Sequence, residues 1–303
     1  MRVAALDLGS NTFILLIAEV DKGQIKKVIV DETKLVRLGQ NLFETGEFHP
    51  EALERVKECF SEFRKLIDKH QVEKIVAVAT SASRDAKNKD EFFALGEKYR
   101  IPINVITGDL EAKLTYQGAR ENEGSFAVID VGGGSTEVVG KNKDGVLLKH
   151  SFDLGCVRLN EKYIKRHPVM KPELKQLEQF IEDKLLEKKE FLSQLKGNEL
   201  VAVAGTPTTV ADMMLGGGFD REKIDNAFIP IEDWNILFQS LCGLSTKQRL
   251  KIPGMTKGRE DVIISGMLIL SLLAKNLGAK GFNVSTRGVR YGLAIEASIN
   301  ADL

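Results

Sequence analysis

The chain of 303 residues is poor in several residue types, and each shortage narrows what it can be. It has only three cysteines, Cys59, Cys156 and Cys242, far apart and without C-x-x-C spacing, which argues against a disulfide framework or a cysteine zinc site. The four histidines, His49, His70, His150 and His167, are equally scattered, so a histidine metal cluster has no local spacing to build on. Neither sign of charge is in excess, with Lys plus Arg and Asp plus Glu at 43 each. No global field therefore draws the chain to nucleic acid or to a membrane, and any anion it binds is held by local design. No apolar run approaches the length of a membrane span, and the N-terminus enters a strand at once, without the regions of a signal peptide. The expected setting is a reducing cytoplasm, with neither nucleic acid nor membrane as a partner.

What the chain does have is glycine in the right places. Residues 126–129 form an apolar run that ends in Asp130-Val131-Gly132-Gly133-Gly134-Ser135-Thr136-Glu137. A strand ending in a carboxylate and three glycines, then a Ser-Thr pair, lets backbone N–H groups approach a phosphate closely. Taken alone, the stretch is either such a loop or an ordinary hairpin turn. A second copy stands at the N-terminus, where Ala4-Ala5-Leu6 runs into Asp7-Leu8-Gly9-Ser10-Asn11-Thr12.

The similarity extends beyond the loops. Residues 12–20 and 24–31 read as strands around the turn Asp21-Lys22-Gly23, and residues 136–139 and 146–150 flank Asn142-Lys143-Asp144-Gly145 in the same way. Val157-Arg158-Leu159 answers Val36-Arg37-Leu38. The helical period of residues 50–70 is matched by one long amphipathic stretch at 172–195, and the buried strand 74–80 by 200–205. Asp130 stands 123 positions after Asp7, Arg158 121 after Arg37 and Val201 125 after Val76, so one ancestral unit is used twice. Each unit reads βββαβ followed by helix and strand. The expectation is an α/β fold of two duplicated domains, each a mixed five-stranded sheet with flanking helices, enclosing a ligand cleft faced by both glycine turns. The boundary is expected at 121–124, giving domains 1–121 and 122–290, with a last helix at 291–303 packing back on the first domain. Between these, helices are expected at 90–99, 110–121, 208–215, 231–241 and 259–277.

At this point the motifs resemble a known family. DLGSNT, DVGGGSTE and Ala204-Gly205-Thr206 are similar to the two phosphate loops and the third glycine turn of the actin, Hsp70 and sugar-kinase superfamily, which implies actin-like (ribonuclease H-like) domains. Within it, ALDLGSNT (5–12), ATSASRDA (79–86), VITGDLEAK (105–113), VIDVGGGSTE (128–137) and SFDLGCVRLNE (151–161) resemble the exopolyphosphatase and guanosine pentaphosphate phosphohydrolase family, in its short form. The resemblance implies removal of the terminal phosphate from inorganic polyphosphate, or from the guanosine alarmone pppGpp, with Mg²⁺ or another divalent cation as cofactor. Such chemistry needs phosphate positioning, a metal and an oriented water.

It also implies roles. Asp7 and Asp130, at strand ends beside the loops, would hold the metal directly or through water, the alternative being turn-capping aspartates. Gly9, Ser10 and Asn11 in one copy, with Gly132, Gly133, Gly134 and Ser135 in the other, would donate to phosphate oxygens, joined by Gly205 and Thr206. Glu111 would position and activate the attacking water, its plain alternative being a first-turn carboxylate favoured by the helix dipole. Glu137 would support metal or water, the alternative being a solvent-facing strand residue. Arg84 would offset substrate charge, the alternative being a surface arginine. Arg287 and Arg290 match the family's C-terminal segment only loosely, as structural or substrate contacts. Ile14 stands where some relatives place a basic residue near the substrate phosphates, which favours polyphosphate over the alarmone. A kinase of the same superfamily and a non-catalytic nucleotide-binding module are the competing classes, and a homodimer is left open.

Overall fold

The computed structural model describes residues 1–119, 125–225 and 227–300. In chain order the first half has β1 (Arg2–Leu8), β2 (Thr12–Asp21), β3 (Gln24–Leu35), α1 (Leu42–Thr45), α2 (Pro50–Lys69), β4 (Lys74–Ala79), α3 (Ser81–Asp85), α4 (Lys89–Lys98), β5 (Ile103–Val105) and α5 (Gly108–Ala119). The second half has β6 (Phe126–Val131), β7 (Thr136–Lys141), β8 (Leu147–Phe152), α6 (Cys156–Tyr163), α7 (Lys171–Leu186), α8 (Lys189–Gln194), β9 (Glu199–Val203), α9 (Gly205–Met214), α10 (Arg221–Ile224), β10 (Phe228–Pro230), α11 (Ile231–Cys242), α12 (Thr246–Arg249), α13 (Ile263–Leu277), β11 (Gly281–Val284) and α14 (Val289–Ala297). The chain divides into one compact unit of Met1–Gly118 with Gly288–Leu303 and another of Ala119–Arg287. The boundary expected at 121–124 lies outside the described residues.

In the first unit the sheet order is β3-β2-β1-β4-β5, antiparallel through the first three strands and parallel from β1 to β5. Alternation along β1 sends Ala4, Leu6 and Leu8 to one face and Val3 and Ala5 to the other. On the first face α2 buries Ala52, Val56, Cys59, Phe60, Phe63 and Ile67, a stripe at helical spacing. Its start is set by Pro50 and by the His49 side chain, which accepts from the Glu51 amide. Phe13, Phe60 and Phe92 pack together there, with centroids 5.7–6.0 Å apart. Leu293, Ala294 and Ala297 of α14 cover the opposite face with Val3, Ala5, Leu16 and Val76.

The second unit repeats the plan with the order β10-β11-β9-β6-β7-β8. Among the described residues its sheet has six strands where five are expected, because the short β10 adds an antiparallel edge to β11. Its main core joins Ala127, Ile129 and Val131 of β6 to α7, α11 and α13. Nearly every residue of α13 is buried, so its apolar run carries no amphipathic signal.

Four elements depart from expectation. The stretch 172–195 is two helices, since α7 ends at Leu186, Lys188 leaves the helical conformation at φ −119° and α8 starts at Lys189. Helix α13 starts at Ile263 rather than Arg259, after a turn in which the Asp261 carboxylate accepts from the Val262 amide. Val36-Arg37-Leu38 is a turn with Arg37 at φ 52°, whereas Val157-Arg158-Leu159 is helical in α6. Of the glycine turn expected at 204–206, Gly205 and Thr206 open the first turn of α9 and Ala204 is its N-cap.

Candidate functional site

In the first unit the DLGSNT loop is a two-residue hairpin turn, closed by the Gly9 amide donating to the Thr12 carbonyl at 3.1 Å. Its carbonyls are already engaged. Ser10 accepts from the Gly39 amide at 2.8 Å, and Asn11 accepts from Val36 and Arg37 at 3.1 and 2.8 Å. What the loop retains for a ligand is donor capacity, and the buried Asn11 Nδ2 has no hydrogen-bond partner among the described residues. The Ser10 hydroxyl accepts from the Ala82 amide in α3 at 3.2 Å, which ties the loop to the segment carrying Arg84. Arg84 Nη1 donates to the Ile106 carbonyl at 2.8 Å and to Glu111 Oε2 at 3.0 Å. Glu111, in the first turn of α5, is 7% exposed. A carboxylate fixed by a guanidinium and largely withdrawn from solvent is a directional acceptor, as a water-positioning group must be. Arg84 is thus partnered by Glu111, and residues 10, 82, 84 and 111 are brought together by tertiary folding.

The second loop repeats this geometry. The Gly132 amide donates to the Ser135 carbonyl at 2.9 Å, Gly132 accepts from Cys156 at 2.9 Å, and Gly133 accepts from Val157 and Arg158, both at 3.0 Å. The pairing of 36–38 with 157–159 therefore survives as backbone hydrogen bonding although the local conformations differ. Arg158 Nε also donates to the Gly134 carbonyl at 2.9 Å. Gly155 lies so close behind the loop that a Cβ there would stand 2.2 Å from the Gly133 oxygen.

Register decides what flanks each loop. Asp130 lies directly opposite Glu137 across β6 and β7, whereas Asp7 lies opposite Ile14 across β1 and β2. Opposed residues of an antiparallel pair share a face, so unit two sets two carboxylates side by side where unit one sets a single one. Glu137 is 1% exposed and is no solvent-facing strand residue; its Oε1 accepts from Ser151 Oγ at 2.6 Å. Among the described residues no group of three or more His, Cys, Asp or Glu is gathered. Magnesium does not require one, since it takes one or two carboxylates and completes its octahedron with water and phosphate oxygens. The carboxylates of Asp130 and Glu137, opposed across β6 and β7, fit that donor set.

The third segment differs from expectation in detail. Ala204 precedes α9 at φ 72° and ψ −169°, a region usually reserved for glycine. The Arg259 guanidinium covers the Cα of Gly205, where a Cβ would stand 1.7 Å from its Cζ. The Thr206 side chain packs into unit two's core, and a Cβ on Gly266 would stand 2.3 Å from its Oγ1. Sequence reasoning missed Arg259, which lies in no recognisable motif. Arg290 lies elsewhere: its Nε and Nη2 donate to Asp31 Oδ1 and Oδ2 at 2.8 and 3.0 Å, and Tyr291 OH donates to Oδ2 at 2.9 Å. That buried cluster fastens α14 to β3, a structural role. The Arg287 amide donates to Ser285 Oγ at 3.2 Å, at the end of unit two.

Two α/β units with the same strand order, each opening on a β-hairpin whose tight loop is braced from behind, define a duplicated actin-like fold carrying phosphate-type loops. The chain belongs to the Ppx/GppA phosphatase family, whose model matches residues 16–299. It is 35% identical to Exopolyphosphatase 2 of Mycobacterium tuberculosis over 97% of this chain and 98% of the relative. It is 31% identical to guanosine-5'-triphosphate,3'-diphosphate pyrophosphatase of Pseudoalteromonas translucida, over 96% of this chain and 58% of that longer protein. The crystal structure of an exopolyphosphatase from Cytophaga hutchinsonii superposes with a TM-score of 0.88 at 26% identity, covering 98% of both chains. No helix among the described residues is long and apolar enough to cross a membrane.

Proposed function

We propose that the chain is a phosphoanhydride hydrolase that removes the terminal phosphate of inorganic polyphosphate, the same chemistry extending to conversion of pppGpp to ppGpp. Family membership supports the reaction class, and both relatives carry names of such enzymes. The observation that carries the mechanism is the Arg84–Glu111 pair at 3.0 Å, linked to the Ser10 loop through Ala82. In this reading Glu111 accepts a hydrogen bond from the attacking water and aligns it with the terminal phosphorus, while Arg84 holds the carboxylate. In each unit the loop amides not spent on closing the turn, those of 10–11 in the first and of 133–135 with Gly205 and Thr206 in the second, are the donors available to phosphate oxygens. Arg259 adds fixed positive charge beside Gly205.

The carboxylates that would hold a divalent cation, directly or through water, are Asp130 with Glu137 in unit two and Asp7 in unit one. When bound, Mg²⁺ neutralises charge on the phosphates and steadies the leaving oxygen. The setting we propose is the cytoplasm, and the partner a polyanionic substrate.

The test is phosphate release by purified protein with Mg²⁺ from long-chain polyphosphate, pppGpp and ATP. Release from polyphosphate, lost in Glu111→Gln, is expected. Release from none of the three, or full turnover by Glu111→Gln, would sink the reading.

A further inference from the structure

Unit two contains a fully buried arginine outside the loops. Arg249, the last residue of α12, is 0% exposed. Its Nε donates to the Leu241 carbonyl near the end of α11 at 2.9 Å, and its Nη1 donates to the Glu260 carbonyl at 2.8 Å. Nη1 also lies 3.0 Å from His167 Nδ1. A guanidinium only donates, so Nδ1 must accept, and His167 is a neutral imidazole with its proton on Nε2. Nη2 is buried and has no hydrogen-bond partner among the described residues. So costly a residue in a core calls for a reason.

The reason lies in what it grips. Glu260 belongs to the turn of residues 256–262, in which the Arg259 amide donates to the Thr256 carbonyl at 3.1 Å and the Ile263 amide to the Arg259 carbonyl at 2.9 Å. Thr209 Oγ1 of α9 donates to Thr256 Oγ1 at 3.0 Å. From this turn Arg259 reaches across the Cα of Gly205 at the start of α9. Arg249 thus connects α11 and the segment between α6 and α7 to the turn that aims Arg259.

We propose that Arg249, with His167 as its neutral acceptor, is a positioning residue that holds the 256–262 turn so that Arg259 lies over Gly205, and that protonating His167 releases this hold. Protonation turns the acceptor into a donor and sets two cations 3.0 Å apart. Burial, and secondarily Arg249, lower the His167 pKa from its usual value, while Asp261 and Glu173 oppose them. Burial brings Arg249 down to about 10, with Cys242 and Asp261 opposing, so it stays charged at every pH considered. The proposal rests on Arg259 serving substrate binding, as set out above.

The experiment measures KM for polyphosphate with Mg²⁺ from about pH 7.5 to about pH 5, together with amide hydrogen exchange of residues 256–263. In the natural protein KM should rise about tenfold toward acid and exchange of the turn should quicken. His167→Gln keeps a neutral acceptor, so it should retain the neutral-pH KM and lose this rise. His167→Phe should show raised KM and fast exchange at all pH, and neither effect should add to that of Arg259→Ala. Arg249→Met should match His167→Phe, and if it fails to fold the His167 variants decide. Unchanged exchange of the turn in His167→Phe, or KM effects additive with Arg259→Ala, would overturn the proposal. A natural KM in Arg259→Ala alone would instead refute the role of Arg259, while the exchange result still judges the hold.

Discussion

Gly155→Ala tests whether the DVGGGSTE loop works by its backbone. Gly155 sits at φ −115° and ψ 146°, a conformation alanine adopts freely, so any effect is steric. The new Cβ would stand 2.2 Å from the Gly133 oxygen, 2.3 Å from the Gly134 carbonyl carbon and 2.4 Å from its Cα. These are backbone atoms and cannot rotate away. Real Cβ contacts do not fall below 3.0 Å, so loop and α6 must part by about 0.8 Å. Overpacking of this kind costs about 1–3 kcal/mol, which leaves a domain of ordinary stability folded. A displacement approaching 1 Å in a phosphate-positioning loop lowers turnover about 100-fold. The assay is phosphate release from polyphosphate beside a thermal melt. Gly145→Ala is the control, since its Cβ meets nothing within 4 Å and its φ of 77° costs only about 1 kcal/mol. A folded Gly155→Ala enzyme with kcat/KM within about twofold of the natural protein would refute the reasoning.

Other outcomes follow from the same geometry. Glu111→Gln should lower kcat about 100-fold or more while substrate affinity holds; a kcat within about threefold of the natural protein would remove Glu111 from the reaction. Asp31→Ala leaves the buried Arg290 without its bidentate partner and should cost about 3–5 kcal/mol by urea denaturation, against about 1 kcal/mol for Tyr291→Phe. Ala204→Gly relieves a φ of 72° and should raise the melting midpoint, by about 1 kcal/mol of stability; a lowered midpoint would show that the conformation is not strained. Burial pushes the thiols up, Cys59 to about 12 and Cys156 and Cys242 to about 11, so the native protein should resist a thiol reagent at neutral pH until denaturant is added. His167 is lowered from 6.5, so its unfolded form binds the extra proton more readily. Its contribution to stability is therefore complete above the unfolded value and lost as pH falls from there toward the folded one. His167→Gln should flatten that part of the pH–stability curve.

The repeat was legible because hairpins, strands and amphipathic helices are local, and their patterns of period 2 and 3.6 are written in consecutive residues. The 123-residue offset from Asp7 to Asp130 even carries the register, since it places Ile14 against Glu137 and so marks the loop with two flanking carboxylates. Two helix boundaries rest on local features that a period count ignores, the break at Lys188 with its φ of −119° and the Asp261 side chain bonding to the next amide.

The rest depended on chain segments meeting. Nothing near Arg84 announces Glu111, 27 residues on, as its partner, and nothing near Arg290 announces Asp31, 259 residues earlier. Arg259 belongs to no periodic element, and its relation to Gly205 exists only because α9 and the 256–262 turn pack together. By itself the sequence determined the two folded repeats and the donor-rich loops, because backbone conformation answers to short-range sterics and apolar spacing. Tertiary structure alone decided which arginine meets which carboxylate or glycine, because long charged side chains take their partners from whatever packing brings within reach.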